Sequence, residues 1–184
     1  MPFDIHARGA AVRRYLLCSL AFIALPAFAA AELVPARDLK ADAQVACASG
    51  RPLLVLFASH GCPYCRVVEE DYLIPMLRQP QSERPIIRVV TIDDLGSLRD
   101  FSGKRVPIAE FARQQGASLT PHVKLLGPDG RELAPGLVGL LTQDFYGGYL
   151  EAAIATATEK MHRALASKTC PNAPLAFNSA VTLH

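Results

Sequence analysis

What this sequence lacks first is an excess of either charge. Its 184 residues carry 19 lysines and arginines against 17 aspartates and glutamates. That balance excludes the basic surface by which proteins hold nucleic acid or anionic membranes. Long apolar runs are missing as well. Tyr15–Ala24 is the run that could be weighed as an anchor, and about ten to fourteen apolar residues fall short of the roughly 20 that cross a bilayer. There is no internal repeat and no low-complexity segment. Cysteine is scarce, at five residues, yet two of the five stand three positions apart in Ser59-His60-Gly61-Cys62-Pro63-Tyr64-Cys65.

The short apolar run has its own meaning. Arg8, Arg13 and Arg14 precede it, and Leu25-Pro26 followed by Ala27-Phe28-Ala29-Ala30-Ala31 ends it. A basic start, an apolar middle and an A-x-A cleavage site make a secretory signal, so residues 1–31 are read as a cleaved leader and the periplasm as the destination. Arg13-Arg14 leaves both the general and the twin-arginine export routes open. Cleavage takes three arginines and one aspartate with it and leaves sixteen charges of each sign. Cys18 departs too. Cys47, Cys62, Cys65 and Cys170 then stand in a compartment where disulfides persist.

Periodicity supplies the elements. Arg37–Ala48 reads as a helix stopped by Ser49-Gly50-Arg51-Pro52, and Leu53–Ala58 (LLVLFA) as a strand buried on both faces. After CPYC comes a helix to about Gln79, with Val68, Tyr72 and Met76 in one stripe and a kink expected at Pro75. Ile86–Ile92 is the next strand, Asp93–Lys104 a polar loop, and Val106–Gln115 a helix. Val123–Leu126 and Arg131–Leu133 flank Gly127-Pro128-Asp129-Gly130 as a hairpin. Thr142–Ala166 is a long helix carrying Leu150, Ile154, Ala157, Met161 and Leu165, and residues 171–184 form an aperiodic tail. Alternating helices and strands closed by a hairpin give an α/β domain over residues 32–170, with a mixed central sheet and helices on both faces.

The cysteine spacing carries the chemistry. Thiol–disulfide exchange needs a thiolate, and a sulfur at a helix N-terminus meets unpaired N–H groups and the positive end of the helix dipole. Cys62 holds that position. Pro63 in the first turn costs no hydrogen bond. Cys65 lies one turn on, on the same helix face, where it can displace whatever Cys62 has captured. Cys62 is therefore the nucleophile and Cys65 the resolving thiol. A zinc site would need two further ligands at compact spacing, and Cys47, Cys170, His60 and His122 do not offer it. A copper carrier using Cys62, Cys65 and His122, or a binding adaptor without turnover, is the alternative from another class.

A buried strand running into C-x-x-C, a helix, and Thr120-Pro121 before a terminal hairpin resembles the thioredoxin fold over roughly residues 37–166. CPYC is similar to the centres of glutaredoxins and of DsbG-type periplasmic proteins. The resemblance implies an oxidoreductase in which Pro121 follows a cis bond and lies against the cysteine pair, with Pro63, Tyr64 and Thr120 as supporting residues. It also sets Cys47 and Cys170 at the end of the fold away from the cysteines, either joined in a structural disulfide or as two separate thiols. The chain departs from the pattern in three places. Leu56 stands where thioredoxins carry a buried acid, Ser59-His60-Gly61 replaces the aromatic approach, and there is no tryptophan. Glu69, one turn past Cys65, is read either as a substitute proton acceptor or as part of a solvated face. His60 is either a thiolate partner or a loop histidine.

The function expected from these readings is a periplasmic thiol–disulfide oxidoreductase that reduces or rearranges disulfides in exported proteins. A membrane redox partner would recharge it, and no metal or other cofactor is called for. With no room for a dimerisation domain between Glu32 and Leu53, a monomer is expected.

Overall fold

The computed structural model describes residues 31–140 and 143–167. Helix α1 (Leu39–Ser49) is capped by the Asp38 carboxylate, which accepts the Ala41 N–H at 2.9 Å, and it ends at Gly50 in a left-handed conformation. Strand β1 (Leu53–Ala58) follows with every residue buried. Helix α2 (Pro63–Val67) runs into a π segment (Val68–Leu73) and then a last turn, α3 (Ile74–Met76). Just before Pro75 the helical ladder widens, and the Ile74 N–H reaches back to the Glu69 carbonyl. Proline cannot supply the next donor.

A short 3₁₀ turn (Gln81–Glu83) leads to β2 (Ile86–Thr91), which pairs parallel with β1. Strand β5 (His122–Leu126) lies antiparallel on the other side of β1, and β6 (Glu132–Val138) is antiparallel to β5, so the sheet order is β2-β1-β5-β6. Helix α4 (Ile108–Gln114) precedes β5, and α5 (Gln143–Ala166) follows β6. The mixed sheet with helices on both faces is as expected.

Two expectations need correction. The segment read as a loop, Asp93–Lys104, contains β3 (Ser97–Arg99), which pairs with β4 (Arg105–Pro107), so α4 starts two residues later than the helix read from Val106. Leu98 and Val106, both buried, pin that ribbon to the core. The hairpin's second strand also continues beyond Leu133 to Val138, through Pro135. An edge strand tolerates a proline because one of its sides needs no ladder donor.

Because β1 is buried on both faces, its alternating side chains divide the core. Leu53, Val55 and Phe57 pack with Leu39, Phe111 and Met161, whereas Leu54, Leu56 and Ala58 pack with Cys65, Val68, Leu73, Tyr146 and Leu150. The cysteine pair belongs to the second layer.

Candidate redox centre

Both β1 and β2 run toward the same end of the sheet, and β5 begins there, so the loops of the site meet at that end. Gly61, at φ +68°, turns the chain out of β1; a left-handed residue there favours glycine. Cys62 then sits in extended conformation as the N-cap of α2, and its Sγ accepts the Cys65 N–H at 3.1 Å. Pro63 occupies the first turn, as expected. The two sulfurs are joined, with the Cα atoms 5.3 Å apart. Cys62 is half-buried, and Cys65 is 3% exposed. Cys65 therefore lies deeper than Cys62, in the cluster that holds Leu56 and Val68. Tyr64, between the two cysteines in sequence, is exposed.

The Thr120–Pro121 bond is cis, as the resemblance implies. Ser59 Oγ and Thr120 Oγ1 share a hydrogen bond of 2.9 Å, tying the end of β1 to the proline loop, and Gly139 N–H donates to the Pro121 carbonyl at 2.7 Å. Sequence reasoning missed Ser59, since neither hydroxyl marks its partner 61 residues away.

His60 resolves in favour of the loop reading. Its ring is largely exposed, with Nδ1 3.2 Å from Asp93 and Nε2 3.5 Å from Asp94, while its backbone N–H donates to both Asp93 oxygens at 3.1 Å. Desolvation works against the charge on Asp93, but backbone N–H groups and the His60 ring outweigh it and hold this carboxyl below its ordinary range. The ring nitrogens thus face carboxylates. Asp93 and Asp94 were also missed. Their signal was that two parallel strands must end on the same side.

Glu69 is half-buried, and burial, followed by the charge of Glu70, pushes its carboxyl above the usual carboxylate range. Leu56 is fully buried below Cys65, so the strand offers no proton acceptor there.

His122 does not join the sulfurs. It pairs opposite Phe57, with ring centroids 6.2 Å apart, and so faces the layer away from Cys65. The three donors of the copper reading are not brought together. Burial, then the Lys124 charge, lowers the His122 pKa, with Glu132 opposing. Between that lowered value and the unfolded value of about 6.5, the unfolded chain binds more protons, so stability rises with pH and is lost on acidification. Urea midpoints taken from about pH 7.5 down to about pH 5 should therefore fall less steeply in His122→Gln than in the parent. Equal slopes would remove His122 as the cause.

Cys47, on α1, is buried and is itself disulfide-bonded. Cys170 lies outside the described residues, as do residues 1–30 of the expected leader (1–31) and the expected tail (171–184).

No curated protein matches the chain. Among solved structures, a thioredoxin-fold protein from Helicobacter pylori aligns at 18% identity and TM-score 0.44, covering 65% of this chain and 85% of its own. Mitochondrial thioredoxin 3 from Saccharomyces cerevisiae, in oxidised form, aligns at 15% identity and TM-score 0.45, covering 67% and 93%. The periplasmic thioredoxin SoxS from Paracoccus pantotrophus, in reduced form, aligns at 19% identity and TM-score 0.41, covering 58% and 99%. The thioredoxin-like domain family matches over residues 39–154, a span that takes in β1, the cysteine pair, the cis proline and the hairpin. The chain belongs to this thioredoxin-like family and is a thiol–disulfide oxidoreductase that carries a C-x-x-C pair, Cys62 and Cys65, joined to each other.

Proposed function

We propose that this oxidoreductase works in the periplasm, where it reduces or rearranges disulfides in exported proteins and is recharged by a membrane redox partner. The observation that carries the reading is the asymmetric pair, a half-exposed sulfur capping a helix with a buried sulfur one turn below. In the reducing direction, the Cys62 thiolate attacks one sulfur of a client disulfide. The client's other sulfur leaves as a thiolate, and a Cys62–client bond remains. Cys65 then attacks the Cys62 sulfur, the internal disulfide forms, and the second client sulfur leaves with its electron pair. Two electrons have passed to the client, and the oxidised protein awaits a donor dithiol. Rearrangement uses the first step and its reversal at a different client sulfur.

Export rests on residues 1–31. Joining them to a reporter enzyme that matures only with disulfides should yield active reporter, and deleting them from the full chain should leave this protein in the cytoplasm. Client identity is tested with Cys65→Ser expressed behind its own leader. Disulfide-linked adducts with exported proteins are expected, and adducts confined to cytoplasmic proteins would overturn the compartment and clients together. A Cys47–Cys170 bond completes the proposal. Cys47 is disulfide-bonded, and Cys62 and Cys65 are paired with each other; Cys170 is the partner proposed for Cys47.

A further inference from the structure

The second half of the reaction poses a problem that the strand does not solve. Cys65 is 3% exposed and packed among Leu56, Val68 and Leu73. Burial of this kind disfavours the thiolate that the resolving step requires. On the face beneath Cys65, β1 presents only Leu54, Leu56 and Ala58. A proton leaving Cys65 must therefore leave along the helix.

The helix offers one group for it. Cys65, Val68 and Leu73 are buried, and Tyr72 and Met76 pack on the same core, so positions 65, 68, 72, 73 and 76 define the inward stripe. Glu69 falls on that stripe. Of the three consecutive acids Glu69, Glu70 and Asp71, the last two are exposed, and Glu69 alone is half-buried. It lies four residues from Cys65, a spacing that sets Cβ atoms roughly 5–6 Å apart on a helix. A glutamate side chain, alone or through one water, spans that gap. Glu69 also opens the π segment's widened ladder, its carbonyl taking the Ile74 N–H. Its carboxylate has no ion pair and no hydrogen bond among the described residues, so nothing else occupies it.

We propose that Glu69 is the general base that takes the proton from Cys65 in the resolving step. As the proton moves to the Glu69 carboxylate, the Cys65 sulfur attacks Cys62. The Cys62–Cys65 bond forms, the Cys62–client bond breaks, and the client sulfur leaves with the electron pair. It is then protonated by Glu69 or by solvent. The proposal rests on the dithiol chemistry of this site and not on its compartment or clients. Burial and Glu70 raise the Glu69 pKa, which makes the carboxylate a stronger base. Around it, β1 brings no titratable group, and α5 brings Tyr146, whose phenol is pushed above its ordinary range and stays neutral.

The test separates the two steps with an aromatic disulfide whose released thiolate is coloured. One equivalent appears when Cys62 attacks, and a second appears when Cys65 resolves. In Glu69→Gln the first burst should keep its rate, and the second should slow by about 10²-fold near neutral pH. That deficit should close as pH rises and hydroxide deprotonates Cys65 directly. Glu69→Asp should recover much of the loss, and Asp71→Asn, which removes an exposed charge two residues away, should match the parent. A second burst of parental rate in Glu69→Gln, or equal slowing in Asp71→Asn, would overturn the assignment. So would equal slowing of both bursts. Cys65→Ser should release one equivalent only; two equivalents would count against the dithiol reading itself rather than against Glu69.

Discussion

Replacing Cys62 by serine should take reduction of a protein disulfide such as insulin's to the uncatalysed background, whereas replacing Cys65 should stop the same reaction halfway. The two outcomes differ because the two sulfurs differ in position. Cys62 is half-exposed and caps α2, where its Sγ already accepts the Cys65 N–H in the oxidised protein. In the reduced protein the same N–H groups and the dipole favour the thiolate, the species that attacks. A serine hydroxyl at that place does not ionise near neutral pH, so no adduct forms. Cys65 is buried beneath it and meets only the Cys62 sulfur, releasing what that sulfur has captured. Serine at 65 leaves the first attack intact and removes its resolution. The protein should then accumulate as a one-to-one mixed disulfide, counted by mass after acid quenching and alkylation. Full turnover by Cys62→Ser would end the nucleophile assignment, and adduct formation through Cys65 alone would reverse it.

Much of this centre was legible because its signals are local. Leu53–Ala58 is apolar throughout and bounded by turn residues. CPYC announces its own chemistry, and Thr120-Pro121 stands immediately before a strand. Other parts depend on pairings that a linear reading does not contain. Strands β3 and β4 are three residues each and owe their existence to Leu98 and Val106 meeting across the ribbon. Strand β6 passes through Pro135 because it is an edge, a fact set by sheet order. The Ser59–Thr120 bond and the His60–Asp93 contact link positions 61 and 33 residues apart. His122 shows the difference most sharply. Its nearness to Pro121 in sequence suggested nearness to the sulfurs, yet register with Phe57 turns it to the opposite layer.

That division of layers leads to the second large effect. Phe57→Ala should cost about 3–5 kcal/mol of unfolding free energy, the usual loss for a buried phenylalanine. Phe57 is fully buried, with its ring 6.1 Å from Phe111 and 6.2 Å from His122. The cavity opens in the layer of α1 and α4, not under Cys65. Leu56→Ala, one residue earlier, should cost a similar amount, about 2–5 kcal/mol, but its cavity lies in the layer that holds Cys65. A domain of this size has roughly 5–15 kcal/mol in hand, so both variants stay folded in the absence of denaturant. Urea unfolding of the oxidised proteins measures the losses. The two-step release of a coloured thiolate then tells the layers apart: Phe57→Ala should retain the parental rates of both bursts, and Leu56→Ala should change the second by altering how dry the Cys65 thiol is kept. If Phe57→Ala shifted the second burst as far as Leu56→Ala does, the sheet would not insulate the redox layer from the other one. The reading of Cys65 as a thiol governed by its own face of β1 would then fall.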